Sequence, residues 1–362
     1  ATTRSPHADN DAQLLNWDAA QSEEPVVVGR LVANVVTAKQ SRQVEMRLIQ
    51  EQKPTASRQR SFSFRREALL DRRKVRLMDL LGAVRVVLFL PEDVQLLTGS
   101  PANRRRYMDI TLCQLAPVYC RTLSNYNKVL EQRNAVLRQM ADGQPGREIL
   151  PIYTEKLVEL GSTIFLRRAK FLANLSRETQ RIHYESLTER RESIRLLYLP
   201  RLSAKKSRLT PSGEQPPEAV SDWLESHEGQ SEIVSERFAT LLQDALATDI
   251  PRGATTVGPH RDDRSFQLNG RSLGSFGSRG QQRTAILALK MGEINWMTAV
   301  TSERPILLLD EVVAELDEIR RAALLNYVSQ AAQTILTATD PGMFTNQFLQ
   351  QATRMAVENG RI

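Results

Sequence analysis

Phe276-Gly277-Ser278-Arg279-Gly280-Gln281-Gln282-Arg283 and, a short way downstream, Pro305-Ile306-Leu307-Leu308-Leu309-Asp310-Glu311 are the stretches from which the fold is read. The first is a glycine-rich turn opening into an apolar helix, Thr284 to Glu293. Glycines let a backbone approach an anion closely. The helix behind them aims its amide N–H groups and the positive end of its dipole at the same place, and the Ser278 hydroxyl adds a donor. In the second stretch, four consecutive aliphatic residues suit a strand buried on both faces of a parallel sheet. An acid at the carboxyl end of such a strand stands where open α/β sheets place ligands. Asp310 there suits Mg²⁺, directly or through water, and Glu311 suits orienting or activating a water molecule. Plainer explanations exist for each half: a loop that caps a helix, and a strand that ends in solvated acids. The Gln281-Gln282-Arg283 continuation and the run Ala314-Glu315-Leu316-Asp317 favour the phosphate reading.

Working outward, a helix over 318–332 and a strand from Thr334 to Thr339 complete an alternating α/β layer. Upstream, Phe266-Gln267-Leu268 leads into Asn269-Gly270, a strong hairpin signal. Gly258-Pro259-His260-Arg261-Asp262-Asp263 sets a turn before four ionisable side chains. A structural network among them is slightly favoured over a nucleotide or lobe interface. Residues 104–140 and 152–198 carry long helical patterns, separated by a linker with Gly143, Pro145 and Gly146. Lys205 to Pro217 reads as a polar loop, and Glu218 to Leu246 as helix again. The block 104–250 is thus a candidate helical insertion. Residues 24–64 read as strands: Val26-Val27-Val28 and Leu31-Val32-Ala33 flank Gly29, and Val44, Met46 and Leu48 alternate with polar residues. A charged stretch from Arg65 to Arg76 follows, then a strand from Val84 to Leu90 ended by Pro91. This part is expected to form an antiparallel sheet.

The chain has 362 residues, 41% hydrophobic and 25% charged, enough for two or three domains with cores of their own. A net charge of +7 is a weak hint of an anionic partner. Basic clusters occur at Arg65-Arg66, at Arg72-Arg73-Lys74 with Arg76, at Arg104-Arg105-Arg106, and at Arg167-Arg168 with Lys170. Each alone is explained by a solvated surface. Beside the phosphate pattern they favour contacts with a DNA backbone, and Arg72, Arg73, Lys74, Arg104, Arg105 and Arg106 are the candidates. Aromatic residues are hardly interleaved with them, which argues against base-stacking recognition. Cys113 and Cys120 read as a reduced pair, and four scattered histidines offer no ligand cluster. The first residues, Ala1 to His7, are polar, and no apolar run reaches membrane-spanning length. A cytoplasmic protein with no membrane partner is expected.

Gly258 to Asp263, Phe276 to Arg283, and Ile306 to Glu311 with Glu315-Leu316-Asp317 occur in order, and together they resemble the RecF family of bacterial recombination-mediator ATPases, related to SMC proteins. The resemblance extends upstream through Val87-Leu88-Phe89-Leu90-Pro91-Glu92-Asp93, Ser100 to Arg106, and Glu131-Gln132-Arg133-Asn134, and covers essentially the whole chain. It implies an α/β ABC/SMC-type ATPase head of the P-loop NTPase fold with an inserted helical lobe. The head would come from 1–103 and 251–362, the lobe from 104–250. It also implies ATP-dependent homodimerisation, slow ATP hydrolysis, and binding to single-stranded DNA and single-strand/double-strand junctions. Cooperation with RecR and RecO in placing RecA on gapped DNA, and a link to replication and the SOS response, belong to the same implication. By resemblance Ser278, Gly280 and Gln281 meet ATP held by the other subunit, Asp310 serves Mg²⁺, and Glu311 serves the attacking water.

The chain departs from the family pattern in two places. No glycine in it is followed by lysine, so a Gly-x-x-x-x-Gly-Lys-Ser/Thr loop is missing from these 362 residues. In the family that loop precedes a helix running into a segment similar to Ala1-Thr2-Thr3-Arg4-Ser5. The chain is therefore expected to begin just after it, to bind ATP weakly in cis, and to supply Ser278 and Gly280 in trans. The other departure is at the switch, where ABC transporters carry a histidine and this chain has Thr337-Ala338-Thr339-Asp340. An alternative of a different class is a DNA-binding or dimerising module that works without nucleotide. A structural SMC-like organiser is disfavoured, because the helical block is too short for long coiled-coil arms.

Overall fold

A computed structural model describes residues 10–22, 24–38, 40–53, 61–202 and 217–358. After the short helix α1 (Trp17–Gln21), the strands β1 (Val26–Val36), β2 (Ser41–Lys53), β3 (Ser61–Leu70) and β4 (Arg73–Val75) pair antiparallel in that order. The two valine-rich runs around Gly29 are one strand. The stretch from Arg65 to Arg76 is largely strand, interrupted by a turn in which Asp71 and Arg72 both have positive φ. Two of its cations are paired across the sheet, Arg65 with Glu51 at 2.8 Å and Lys74 with Glu67 at 2.7 Å.

The next strand, β5 (Val86–Phe89), does not join that sheet. Its Val87 and Phe89 are buried on one face, and Val86 and Leu88 on the other are half-buried. Helices α2 (Gln95–Thr98), α3 (Pro101–Leu115), α4 (Pro117–Ala141) and α5 (Leu150–Ile182) follow. Prolines at the first position of α3 and α4 and the second of α5 favour these helix starts. The helical pattern expected to run to 198 stops earlier. α5 ends in a π-helical turn, His183–Leu187, and Glu189 and Arg190 turn the chain with positive φ. Ile194–Leu199 is then a strand, β6, buried at Ile194 and from Leu196 to Tyr198. After α6 (Pro217–Ser226), α7 (Ser231–Asp244) and α8 (Leu246–Arg252), β7 (Asp263–Leu268) and β8 (Arg271–Ser272) form the hairpin signalled by Asn269-Gly270. β6 pairs antiparallel with β7, so a strand from within 104–250 completes a sheet begun outside it. Of the polar loop read at Lys205 to Pro217, all but Pro217 lies outside the described residues.

The chain then forms α9 (Leu273–Phe276), α10 (Arg279–Thr301), β9 (Ile306–Asp310), α11 (Glu318–Gln330), β10 (Thr334–Thr337) and α12 (Asn346–Gln351). β9 lies between β10 and β5, and all three are parallel. α10 is the hinge of the packing. Every residue from Thr284 to Ile294 is buried. Leu287, Met291 and Met297 pack against β5 and β9, while Ala285, Ile286 and Leu289 enter the core made by α3 to α7 with β6 and β7. Each such aliphatic side chain contributes about 1.5–3 kcal/mol by burial. α5 crosses α10 closely because position 292 is glycine: a Cβ there would lie 3.1 Å from the Thr179 hydroxyl. The buried polar side chains of this helix, Thr284, Lys290 and Glu293, are partnered. Lys290 donates to the Leu88 carbonyl at 2.7 Å and pairs with Asp93, and Glu293 accepts from the Tyr107 and Thr111 hydroxyls.

Candidate functional site

The Ser278–Gln281 turn is the start of α10. Ser278 is its N-cap: its hydroxyl accepts from Gln281 N at 3.3 Å, and Gln281 Oε1 accepts from Ser278 N at 3.0 Å. This reciprocal cap satisfies two backbone donors. The amides of Arg279 and Gly280, in the first turn, have no partner within the helix. Phe276, Ser278, Arg279 and Gly280 are exposed. The serine is therefore explained by capping, and the phosphate reading stands on Gly280. A Cβ at that position would meet nothing nearer than the Ser278 hydroxyl oxygen, 4.0 Å away. The φ of Gly280 is not positive either. Neither strain nor crowding calls for glycine here, whereas a ligand closing on the two first-turn amides does.

The acids at the end of β9 are held from the neighbouring strand. Thr337 lies opposite Asp310 in the β10–β9 register. Its hydroxyl donates to Asp310 Oδ1 at 2.7 Å and accepts from Glu311 N at 3.1 Å. Glu311 has φ of 52°, a left-handed conformation that costs a non-glycine residue free energy. It turns the chain sharply after the strand and leaves the Glu311 side chain exposed. The sequence marked Thr337 only as part of the run Thr337-Ala338-Thr339-Asp340 that stands where a histidine was awaited. No local signal marked its role, which depends on the register of β10 against β9. Beyond the turn, Arg283 of α10 pairs with Glu315 at 3.0 Å, which ties the helix of the first motif to the segment after the second. Asp317 caps α11, accepting from Arg320 N at 3.0 Å.

The Gly258–Asp263 motif is structural. Asp262, fully buried, accepts from Arg168 at 2.9 Å, from Arg201 N at 2.8 Å and from the Tyr198 hydroxyl. Burial pushes its carboxyl up to about 6, and the Arg168 guanidinium pulls the other way. Arg168 also grips Asp109 with two donors and the Pro259 carbonyl. His260 Nε2 donates to the Thr255 carbonyl, so its Nδ1 accepts from the Tyr126 hydroxyl at 2.7 Å. Burial brings that imidazole down to about 4.

This network corrects the basic-cluster reading. Arg104 is bonded to both oxygens of Asp263, at 2.6 and 2.8 Å, and to the Gly99 carbonyl, and Arg105 donates to the Asp262 carbonyl. Arg168 is buried. Of the Arg104-Arg105-Arg106 triplet, Arg106 alone is exposed. Arg72, Arg73 and Lys74 stand exposed at the β3–β4 turn. Cys113 and Cys120 are both free and buried. Among the described residues there is no group of three or more potential metal ligands, and no helix long and apolar enough to cross a membrane.

No family model matches the chain. Among curated proteins it is similar to the DNA replication and repair protein RecF of Herpetosiphon aurantiacus, 35% identical over 365 residues that cover 100% of this chain and 87% of the relative. The RecF of Lactobacillus delbrueckii subsp. bulgaricus is 37% identical over 290 residues, covering 80% of this chain and 71% of the relative. Among solved structures, the recombination mediator protein RecF with ATP, of the RecFOR pathway, aligns with a TM-score of 0.65 and 25% identity, over 84% of this chain and 77% of that one. The expected α/β ATPase-head fold is thus the observed one.

Proposed function

This chain belongs to the RecF family of DNA replication and repair proteins, and on that premise we propose that two copies of it close on ATP and hold DNA, each offering its Ser278–Gln281 turn to the nucleotide of the other. The observation that carries the proposal is the exposed, uncrowded Gly280 at the capped end of a buried helix. A phosphate there accepts from the first-turn amides and gains from the helix dipole. The relative solved with ATP supports the ligand.

In this reading Asp310 is the carboxylate for Mg²⁺. It is a hard oxygen donor at the carboxyl end of β9, held in place by Thr337, which fits a cation that uses one or two carboxylates beside phosphate oxygens. The chemistry Mg²⁺ supplies when bound is neutralisation of phosphate charge. Glu311 orients the attacking water and accepts its proton, making the protein a slow ATPase. Residues 1–103 and 251–362 are assigned to the head and 104–250 to the helical lobe, with β7 and β8 joined to the lobe through β6. Arg72, Arg73, Lys74 and Arg106 are the basic side chains offered to a DNA backbone, at single strands and single-strand/double-strand junctions. RecR, RecO and RecA are the pathway partners, and the cytoplasm is the setting.

The test is binding to a gapped duplex, followed by fluorescence anisotropy, for the protein expressed from its complete reading frame. Binding is expected to require ATP or a slowly hydrolysed analogue, to ignore base sequence, and to weaken steeply with salt, at about 0.9 log units per log of salt for each phosphate contacted. Binding that is equally tight without nucleotide would favour the nucleotide-independent module instead.

A further inference from the structure

The side-chain amide of Gln281 is used at both ends. Its Oε1 completes the cap at Ser278 N, and its Nε2 donates to Glu192 Oε1 at 2.8 Å. At this third position of a helix, glutamate is the common partner in a reciprocal cap, and the dipole favours its charge. A glutamate here would have no proton to give Glu192, and two carboxylates would face each other. Glutamine serves both partners.

Glu192 lies in the connection between α5 and β6, 89 residues away in sequence. That connection is firmly anchored. The Thr188 hydroxyl donates to the His183 carbonyl at 2.8 Å and approaches the Glu192 carbonyl at 3.4 Å. His183 is fully buried in the π-helical turn, burial lowers its pKa, and its Nδ1 lies 3.3 Å from the same Glu192 carbonyl. Arg190 N and Arg191 N close the turn on Tyr184 and Thr188. The contacts therefore run from the exposed turn through Gln281 and Glu192 to the end of α5, a helix of 33 residues and about 50 Å.

We propose that Glu192 is the positioning residue of the Ser278–Gln281 turn, fixing the Gln281 amide to the end of α5 so that the turn meets its ligand as one body with the helical lobe. This rests on the reading that the turn faces the phosphate of a nucleotide carried by a second copy. Capping alone predicts that Gln281→Glu is harmless. The Glu192 contact predicts that it is damaging, that Glu192→Ala is also damaging, and that Glu192→Gln is silent, because the amide oxygen still accepts. It further predicts that Gln281→Glu combined with Glu192→Gln restores the contact with donor and acceptor exchanged.

Two measurements on these variants of the complete protein separate the claims. Hydrogen exchange of the Gln281 and Gln282 amides in the free protein is expected to quicken about tenfold in Gln281→Glu and to return in the double variant. Sedimentation with a slowly hydrolysed ATP analogue is expected to show about tenfold weaker dimerisation in Gln281→Glu, restored in the same way. If exchange is indifferent to Gln281→Glu, or the second change fails to restore it, the assignment of Glu192 is overturned. If exchange follows the predicted order while all variants dimerise alike, the Glu192 contact stands and the nucleotide role of the turn fails.

Discussion

Replacing Gly280 with alanine should move stability and function in opposite directions. Gly280 is the second residue of α10, with φ in the ordinary range and no atom closer than 4.0 Å to an added Cβ. In a helix interior the exchange is worth about 0.8–1 kcal/mol in favour of alanine. In the first turn, with fewer helical bonds to reward, about half of that is expected, roughly 0.5 kcal/mol or about 0.7 °C in Tm for a protein of this size. The same methyl group stands over the amides of Arg279 and Gly280. A phosphate held off by it loses at least one charge-assisted hydrogen bond, worth about 1.5–3 kcal/mol, or about ten- to a hundredfold in nucleotide-dependent association. Urea unfolding of the free protein reads the first effect, and sedimentation with a slowly hydrolysed ATP analogue reads the second. A destabilised variant would mean that the fold needs this glycine. A stabilised variant with undiminished association would mean that no phosphate approaches it.

Three further outcomes follow from the geometry. Arg168→Met should cost about 3–5 kcal/mol in urea unfolding, because it leaves Asp262 buried without its guanidinium partner; a loss below about 1 kcal/mol would contradict the network. His260, brought down to about 4 in the folded protein, stays neutral while the unfolded chain takes up a proton below its ordinary value of 6.5, so its contribution to stability is lost as pH falls from about 6.5 to about 4. His260→Gln should make that decline shallower. Asp262, raised to about 6, acts in the opposite sense in both proteins, and equal slopes in pH-dependent unfolding would count against the assignment. Glu311→Gln in the complete protein should slow phosphate release while leaving the ATP-induced dimer intact, since the amide keeps the shape but not the base; unchanged turnover would remove Glu311 from that role.

The parts of the fold legible in sequence are those whose signal is local. The unbroken apolar run Ile306 to Leu309 announces a strand of the parallel sheet, although only the Leu307 and Leu309 face is fully buried and Ile306 and Leu308 are half-buried, and Asn269-Gly270 announces its hairpin. What stayed hidden depends on distant partners. Val86 to Phe89 reads the same in either sheet, and only its pairing with β9 decides. Ile194 to Leu199, rich in leucine, continues the helical pattern of α5, and the break lies in the turn at Glu189 and Arg190 and in the ladder to β7. Arg104, Arg105 and Arg168 look like surface charge until Asp109, Asp262 and Asp263 converge on two of them and the Asp262 carbonyl on the third. For the site, the motifs named Ser278, Gly280, Asp310 and Glu311 as residues of interest. The reciprocal cap, the Thr337 bridge and the Glu192 contact emerged only with the fold.

The central claim is that the turn at Ser278 meets a nucleotide held by a second copy. Ser278→Arg in the complete protein tests it most directly, because a long side chain at the cap fills the space before the first-turn amides. Sedimentation with a slowly hydrolysed ATP analogue, beside nucleotide titration at protein concentrations where single chains prevail, reads both consequences. The variant is expected to remain monomeric with the analogue while a single chain binds nucleotide as the unaltered protein does. Normal nucleotide-dependent dimers would contradict it, and a collapse of single-chain affinity would place the turn in its own chain's site.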